Sequence, residues 1–197
     1  MHANRLFSRA IGVEKVLDSV KIKYSKVDRV AGEQVARKPK VYIESTIPSY
    51  LVSRPSRDIL TLAHQQVTKI WWETAHDKYD IYISQVVIDE INAGDKTLAK
   101  QRADILKGIQ VLKLDDDIQT LADEYVDLLK LPGKALRDAL HMAVATKFEI
   151  DYLVTWNSAH IANEYIRRKL QEYNTKQRRK TPMICTPEEL INPETHI

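Results

Sequence analysis

The chain lacks most of what would make it anything but a globular domain. It has one cysteine, Cys185, in 197 residues. That excludes an intramolecular disulfide framework and any zinc site built from several thiolates. Five glycines and seven prolines are too few for a collagenous, linker-like or low-complexity chain. No run approaches the roughly 18 unbroken apolar residues of a membrane span, so no membrane is expected as a partner. The start carries no apolar run followed by a cleavage site, so a cytoplasmic location is the expectation. Neither standard spacing of a glycine-rich phosphate loop occurs, which argues against an NTPase or a dinucleotide enzyme. No Ser-His-Asp order stands out.

What the chain does contain is 44% hydrophobic and 29% charged residues, enough for one domain with an appendage. The net charge of +3 is unevenly spread. Residues 1–38 hold nine Lys/Arg against four Asp/Glu, and residues 167–180 hold seven basic residues against Glu172 alone. The body between and after them is acidic. Basic segments flanking an acidic body suit a phosphate backbone held beside a carboxylate-lined metal site. They also suit a solvated helix face and a disordered tail, the commoner meaning of a charge run.

Residues 1–38 read as a basic, flexible extension, with an amphipathic helix over 7–20. From residue 39 the pattern changes. Short β-branched or aromatic runs at 40–43, 80–83, 111–112, 152–154 and 183–185 read as strands. Between them, helices are predicted over 56–76 with Ser56 as cap, 84–91, 95–107, 115–130, 135–148 and 158–173. The apolar face of the 56–76 helix is predicted from Ile59, Leu62, Ala63, Val67, Ile70 and Trp71. Pro48 and Pro55 punctuate a loop, and residues 132–133 break a helix. Strands alternating with helices mean a parallel sheet covered on both faces, a three-layer α/β domain over 39–191. Residues 192–197 are left as a tail.

Ligands of open α/β sheets bind at the carboxyl ends of the strands. Glu44 directly follows the first strand and Asn157 closely follows the fourth. Glu90 lies on the helix that starts at the end of the second, and Asp138 opens the most apolar helix. Converging carboxylates repel one another unless a cation lies between them. Oxygen-rich sites suit Mg2+ or Mn2+, and such sites are suited to phosphodiester hydrolysis. Taken singly, each acid also reads as a cap or a surface residue. His160, on the next turn after Asn157, could position a phosphate. Trp156 is the tryptophan best placed to stack on a base. His141 reads as a hydrogen-bonded core histidine, and Asp115, Asp116 and Asp117 as helix-start residues.

Five segments, VYIESTIPSY at 41–50, SQVVIDE at 84–90, DALHMA at 138–143, TWN at 155–157 and ICTPEEL at 184–190, stand in an order that resembles the PIN domain. The likeness is to the VapC-like toxins of type II toxin–antitoxin systems. The resemblance implies a three-layer α/β/α domain with a five-stranded parallel sheet and a Mg2+-dependent ribonuclease site of three or four acids. Carried over residue by residue, Glu44 stands where most members have Asp, Glu90 and Asp138 are as usual, and Asn157 replaces a common Asp. These four would be catalytic, with Glu44, Glu90 and Asp138 holding Mg2+ or Mn2+. Ser45 and Thr46 would support the first acid, and the basic residues around 167–180 would hold the RNA backbone. A cognate antitoxin and a homodimer are the implied protein partners, and RNA the substrate. The longer Glu44 and the neutral Asn157 also allow a weakened site, a PIN-fold module that binds RNA or protein without cutting.

Overall fold

The structure, a computed structural model, describes residues 37–131 and 135–191. The predicted helix over 7–20, the break at 132–133 and the tail from 192 lie outside the described residues.

Five strands form one all-parallel sheet: β1 (Lys40–Ile43), β2 (Asp80–Ser84), β3 (Gln110–Leu112), β4 (Tyr152–Val154) and β5 (Met183–Cys185). Their order is β3-β2-β1-β4-β5. The chain builds outward from β1 to β3, then crosses back to β4 and β5, so the order reverses between β1 and β4. That reversal opens a crevice at the carboxyl ends of these two strands. Their register sets Val41 beside Tyr152 and Ile43 beside Val154. β1 is buried from Val41 to Ile43, as a central parallel strand must be.

Eight helices are found among the described residues: α1 (Thr46–Val52), α2 (Ile59–Lys78), α3 (Gln85–Ile91), α4 (Lys96–Ile105), α5 (Asp116–Leu129), α6 (Leu136–Lys147), α7 (Glu164–Lys176) and α8 (Pro187–Ile191). They pack in two groups: α1 to α4 with α8, and α5 to α7. Right-handed crossovers put these groups on opposite faces of the sheet. The result is the expected α/β/α sandwich. Asp95 and Asp115 cap α4 and α5, accepting from the backbone N–H groups of Leu98 and Ile118. In the second layer, Tyr125 Oη lies 2.7 Å from Asn174 Oδ1 and 3.1 Å from Thr146 Oγ1. This buried cluster fastens α5, α6 and α7 to one another.

Four details depart from the sequence reading. α1 occupies what was read as a loop: Pro48 is its third residue, where a missing N–H breaks no helical bond. α2 is capped by Asp58, which accepts from Thr61 N at 2.8 Å, and not by Ser56. α7 begins at Glu164, six residues later than expected, because the N–H groups of Ile161 and Ala162 turn back onto the Asn157 carbonyl. α8 was not anticipated. It carries a capping box in which Thr186 N and Oγ1 donate to Glu189 Oε2.

The face of α2 is the larger correction. Its buried residues are Gln65, Thr68, Trp71 and Ala75; of the predicted apolar stripe only Trp71 is among them, Leu62 and Val67 are half-buried, and Ile59, Ala63 and Ile70 are exposed. Gln65 is satisfied inside by Ser56 N and the Arg54 carbonyl. Thr68 donates to the His64 carbonyl. Ile59 and Ile70 are 78% and 47% exposed. Ile59→Lys is therefore expected to shift the unfolding free energy by no more than about 0.5 kcal/mol. Trp71→Ala is expected to cost about 3–5 kcal/mol. Urea denaturation of both variants measures the difference, and equal costs would contradict this packing.

Candidate metal centre

The strand ends bring the site together. The Glu44 N–H donates to the Val154 carbonyl at 3.1 Å, extending the β1–β4 pairing one step past the strands. This sets Glu44 beside Thr155, Trp156 and Asn157. From the other side, α3 carries Glu90 and α6 carries Asp138 and His141, and these two helices touch.

Glu44 is only 5% exposed, and both of its carboxyl oxygens are hydrogen-bonded. Its Oε2 accepts from Thr46 N at 3.1 Å, Thr46 Oγ1 at 2.6 Å and Thr155 Oγ1 at 2.9 Å. Its Oε1 accepts from Ser45 Oγ at 2.8 Å. Three donors leave Oε2 no free lone pair, whereas Oε1 retains one. Thr46 is doubly used, since its Oγ1 also accepts from Trp156 N at 3.0 Å.

Glu90 meets His141 Nε2 at 3.1 Å. Burial pushes its carboxyl up. The His141 hydrogen bond and charge, then Ser45 and Arg137, outweigh that and hold it below its ordinary range. Asp138 moves the other way. Burial raises its carboxyl, and the charges of Glu44 and Glu90 add to the rise against His160 and His141. The three acids thus feel one another. Among the described residues no lysine or arginine forms an ion pair with any of them.

Glu44, Glu90 and His141 each bring a donor atom within 4.8 Å of the others. Asp138 stands beside this group and acts on it by charge. Clustered carboxylate oxygens fit a hard divalent ion. Glu44 Oε1 and Glu90 are the carboxylates of this group that could hold it, and Asp138, expected from the sequence as the third ligand, lies outside the group. His141 Nε2 is already engaged by Glu90.

Asn157 takes a different part from that of an oxygen ligand. Its Nδ2 donates to Asp138 Oδ1 at 2.8 Å, and its Oδ1 accepts from His160 N at 3.2 Å. The backbone donor fixes which end is oxygen, so the amide steadies Asp138. His160 lies on this turn and contributes charge toward Asp138. Trp156 is locked by its Nε1–H to Thr68 Oγ1 at 2.8 Å. Its ring stacks on His64 with centroids 4.0 Å apart, and Tyr50 flanks both.

Four of the seven basic residues of 167–180, Arg167, Arg168, Lys169 and Lys176, lie on α7, and three follow it. Arg179 pairs with Glu124 at 3.1 Å. Lys180 pairs with Asp151, which precedes β4. These two of the seven basic residues are thus engaged in ion pairs with Glu124 and Asp151.

Sequence reasoning missed Thr155, Tyr42 and Ser84, which touch site residues directly or in series. Thr155 had a signal, since it immediately follows β4. Tyr42 and Ser84 read only as part of a strand and as the start of a helix.

No protein-family model matches the chain, and no curated protein does. Solved structures do. VapBC2 from Rickettsia felis, crystallised bound to a DNA fragment from their promoter, aligns at 15% identity over 74% of this chain and 97% of that one, with a TM-score of 0.50. The fold is the PIN-like fold of a VapC toxin. The VapC20 toxin of Mycobacterium tuberculosis, which cleaves the sarcin-ricin loop, aligns at 18% identity over 64% of this chain and 95% of that chain, with a TM-score of 0.49. In the VapC-like fold, Glu44 and the 155–157 turn occupy the crevice where the strand order reverses.

Thr46→Val removes both the donor to Glu44 and the acceptor for Trp156 N without changing shape. It is expected to cost about 1–3 kcal/mol, because a buried carboxylate and a backbone N–H both lose a partner. Thr46→Ser retains both bonds and is expected to cost less than about 1 kcal/mol. Chemical denaturation of the two variants checks this, and equal costs would show that the hydroxyl is not the group that matters.

Proposed function

We infer that this chain is a metal-dependent endoribonuclease of the PIN type, a VapC-like toxin that hydrolyses RNA phosphodiester bonds. One observation supports the reading: Glu44 and Glu90 come together in the switch-point crevice of a PIN-like sheet, with Asp138 near enough to feel both charges and, among the described residues, no lysine or arginine in an ion pair with any of the three. Glu44 and Glu90 hold Mg2+ or Mn2+, with Asp138 beside them. A cation held there supplies Lewis acidity to an attacking water and positive charge to the phosphorus centre. The protein's own groups do the rest. Glu44 Oε1 and Glu90 face the cleft with fixed orientation. Asp138, its carboxyl raised and its Oδ1 steadied by Asn157, stands where a proton can be taken from water. His160 offers charge to a phosphate oxygen, and the edge of the Trp156 ring offers a surface to a base.

Its place is the cytoplasm, and its protein partners are a cognate antitoxin and a second copy of the chain. The neutral Asn157 and the saturated Glu44 Oε2 favour a second reading, a domain of the same fold that binds RNA or protein with little cutting.

A mixed RNA pool incubated with the purified chain and Mn2+, Mg2+ or EDTA separates these readings. Cutting is expected with either ion and not with EDTA. Asp138→Asn is expected to lower the rate at least 100-fold with the melting curve of the cation-free protein little changed. Mn2+ at about 100 times its Kd is expected to stabilise the wild type by about 2.7 kcal/mol and Asp138→Asn by much less. No cutting with any ion would leave the binding module as the better reading.

A further inference from the structure

Below the carboxylates runs a hydrogen-bonded chain from strand to helix. Ser84 Oγ lies 2.7 Å from Tyr42 Oη, and Tyr42 Oη lies 2.7 Å from His141 Nδ1. His141 Nε2 lies 3.1 Å from Glu90 Oε2. Ser84, Tyr42 and His141 are fully buried, His141 at 1% exposure. The chain departs from the local rules at both ends. Ser84 is the residue before α3, yet its hydroxyl caps no helix N–H and is turned onto Tyr42 instead. Tyr42 sits in the middle of the central strand, where an apolar side chain would pack without needing a partner.

Such a chain has a direction. An ionised carboxylate only accepts, so the hydrogen in the His141–Glu90 bond belongs to Nε2. That holds whether or not the other ring nitrogen is protonated. The ring cannot turn to offer Nε2 elsewhere, because Tyr42 holds its far side. A nitrogen that carries hydrogen has no lone pair for a metal.

We propose that His141 is the positioning residue of the carboxylate cleft: anchored by Tyr42 and Ser84, it holds Glu90 toward Glu44 through its Nε2–H and is not itself a metal ligand. The proposal rests on the metal reading above and adds what that reading does not contain, the assignment of Tyr42, Ser84 and His141. Metal-binding carboxylates held by outer hydrogen bonds lose 10–100-fold in affinity when those partners are removed, as a rough rule.

The test uses the full chain in two measurements. In the first, long-range 15N correlation spectra are recorded without cation and with Mg2+, and the His141 signals are assigned by their loss in His141→Gln. Hydrogen on Nε2 in both spectra is expected. Loss of that hydrogen when Mg2+ is added would make His141 a ligand and overturn the proposal, as would a ring protonated only at Nδ1.

The second measurement is Mn2+ affinity by calorimetry. His141→Leu removes the donor and is expected to weaken binding by about 10–100-fold. His141→Gln restores an N–H at similar reach and is expected to recover most of it. Tyr42→Phe keeps the ring and releases the anchor, and about a tenfold loss is expected. Circular dichroism melting verifies that each variant folds, and Tyr42→Phe, the mildest change, serves if His141→Leu does not. Wild-type affinity in Tyr42→Phe and His141→Leu, or no recovery in His141→Gln, would overturn the positioning role alone. No Mn2+ binding by the wild type would overturn the metal reading and the positioning role together.

Discussion

A carboxylate taken almost entirely out of water at the end of the central strand is the constraint on which much of this structure turns. Among the described residues no lysine or arginine pairs with Glu44, and Glu90 lies close to it. Unpaired, such a charge costs several kcal/mol. Four hydrogen bonds meet the cost, and three come from Ser45 and Thr46, the two residues that follow Glu44. The fourth comes from Thr155, which reaches Oε2 only because β1 and β4 pair in one register. A slip of one residue would turn Thr155 to the other face of the sheet. Strand register and site electrostatics are thus one requirement.

The same economy recurs around the cleft. Polar side chains inside this domain are used twice: Thr46 between Glu44 and Trp156, Asn157 between Asp138 and His160, Tyr42 between Ser84 and His141. Each shared group ties two elements, so the cleft is braced from β1, β2, α3, α6 and the 155–157 turn together. A site braced this way is held by its surroundings and not by the flexibility of its own side chains. The second layer of helices follows the same habit, with Tyr125, Thr146 and Asn174 joining three helices through one buried cluster.

The strands were legible in the sequence because short β-branched runs bounded by polar residues have few other uses, and all five lie within a residue or two of where they were expected. Part of the site was legible because topology restricts where an α/β sheet binds: Glu44 and Glu90 do lie together, but the third group within reach of both is His141 and not Asp138. What was not legible has a common cause. The apolar stripe on α2 misled because Gln65 and Thr68 are satisfied by distant partners, and periodicity counts polar residues as outward. Pro48 read as a breaker because its tolerance depends on position within a turn. The seven basic residues of 167–180 are adjacent in sequence, but the 13 residues of α7 span about 20 Å and set the first of them well apart from the last. Residues 42, 84 and 141 share no spacing at all. Only the folded sheet brings them into line.

One consequence of the Trp156 environment concerns light. The indole is pinned by Thr68, overlaid by the imidazole of His64 and joined through its own backbone N–H to the threonine that holds Glu44. Trp71, by contrast, is sealed in the core with its Nε1 unpartnered. These two of the three indoles therefore sit in unlike surroundings, one apolar and one polar and stacked, and the third, Trp72, lies 6.0 Å from Trp71, so the emission of Trp156 should differ in wavelength and lifetime from that of the Trp71–Trp72 pair. A rearrangement of the carboxylate cleft that shifts Thr46 must shift Trp156 with it, while Trp71 stays as an internal reference. The protein carries its own optical gauge of the cleft.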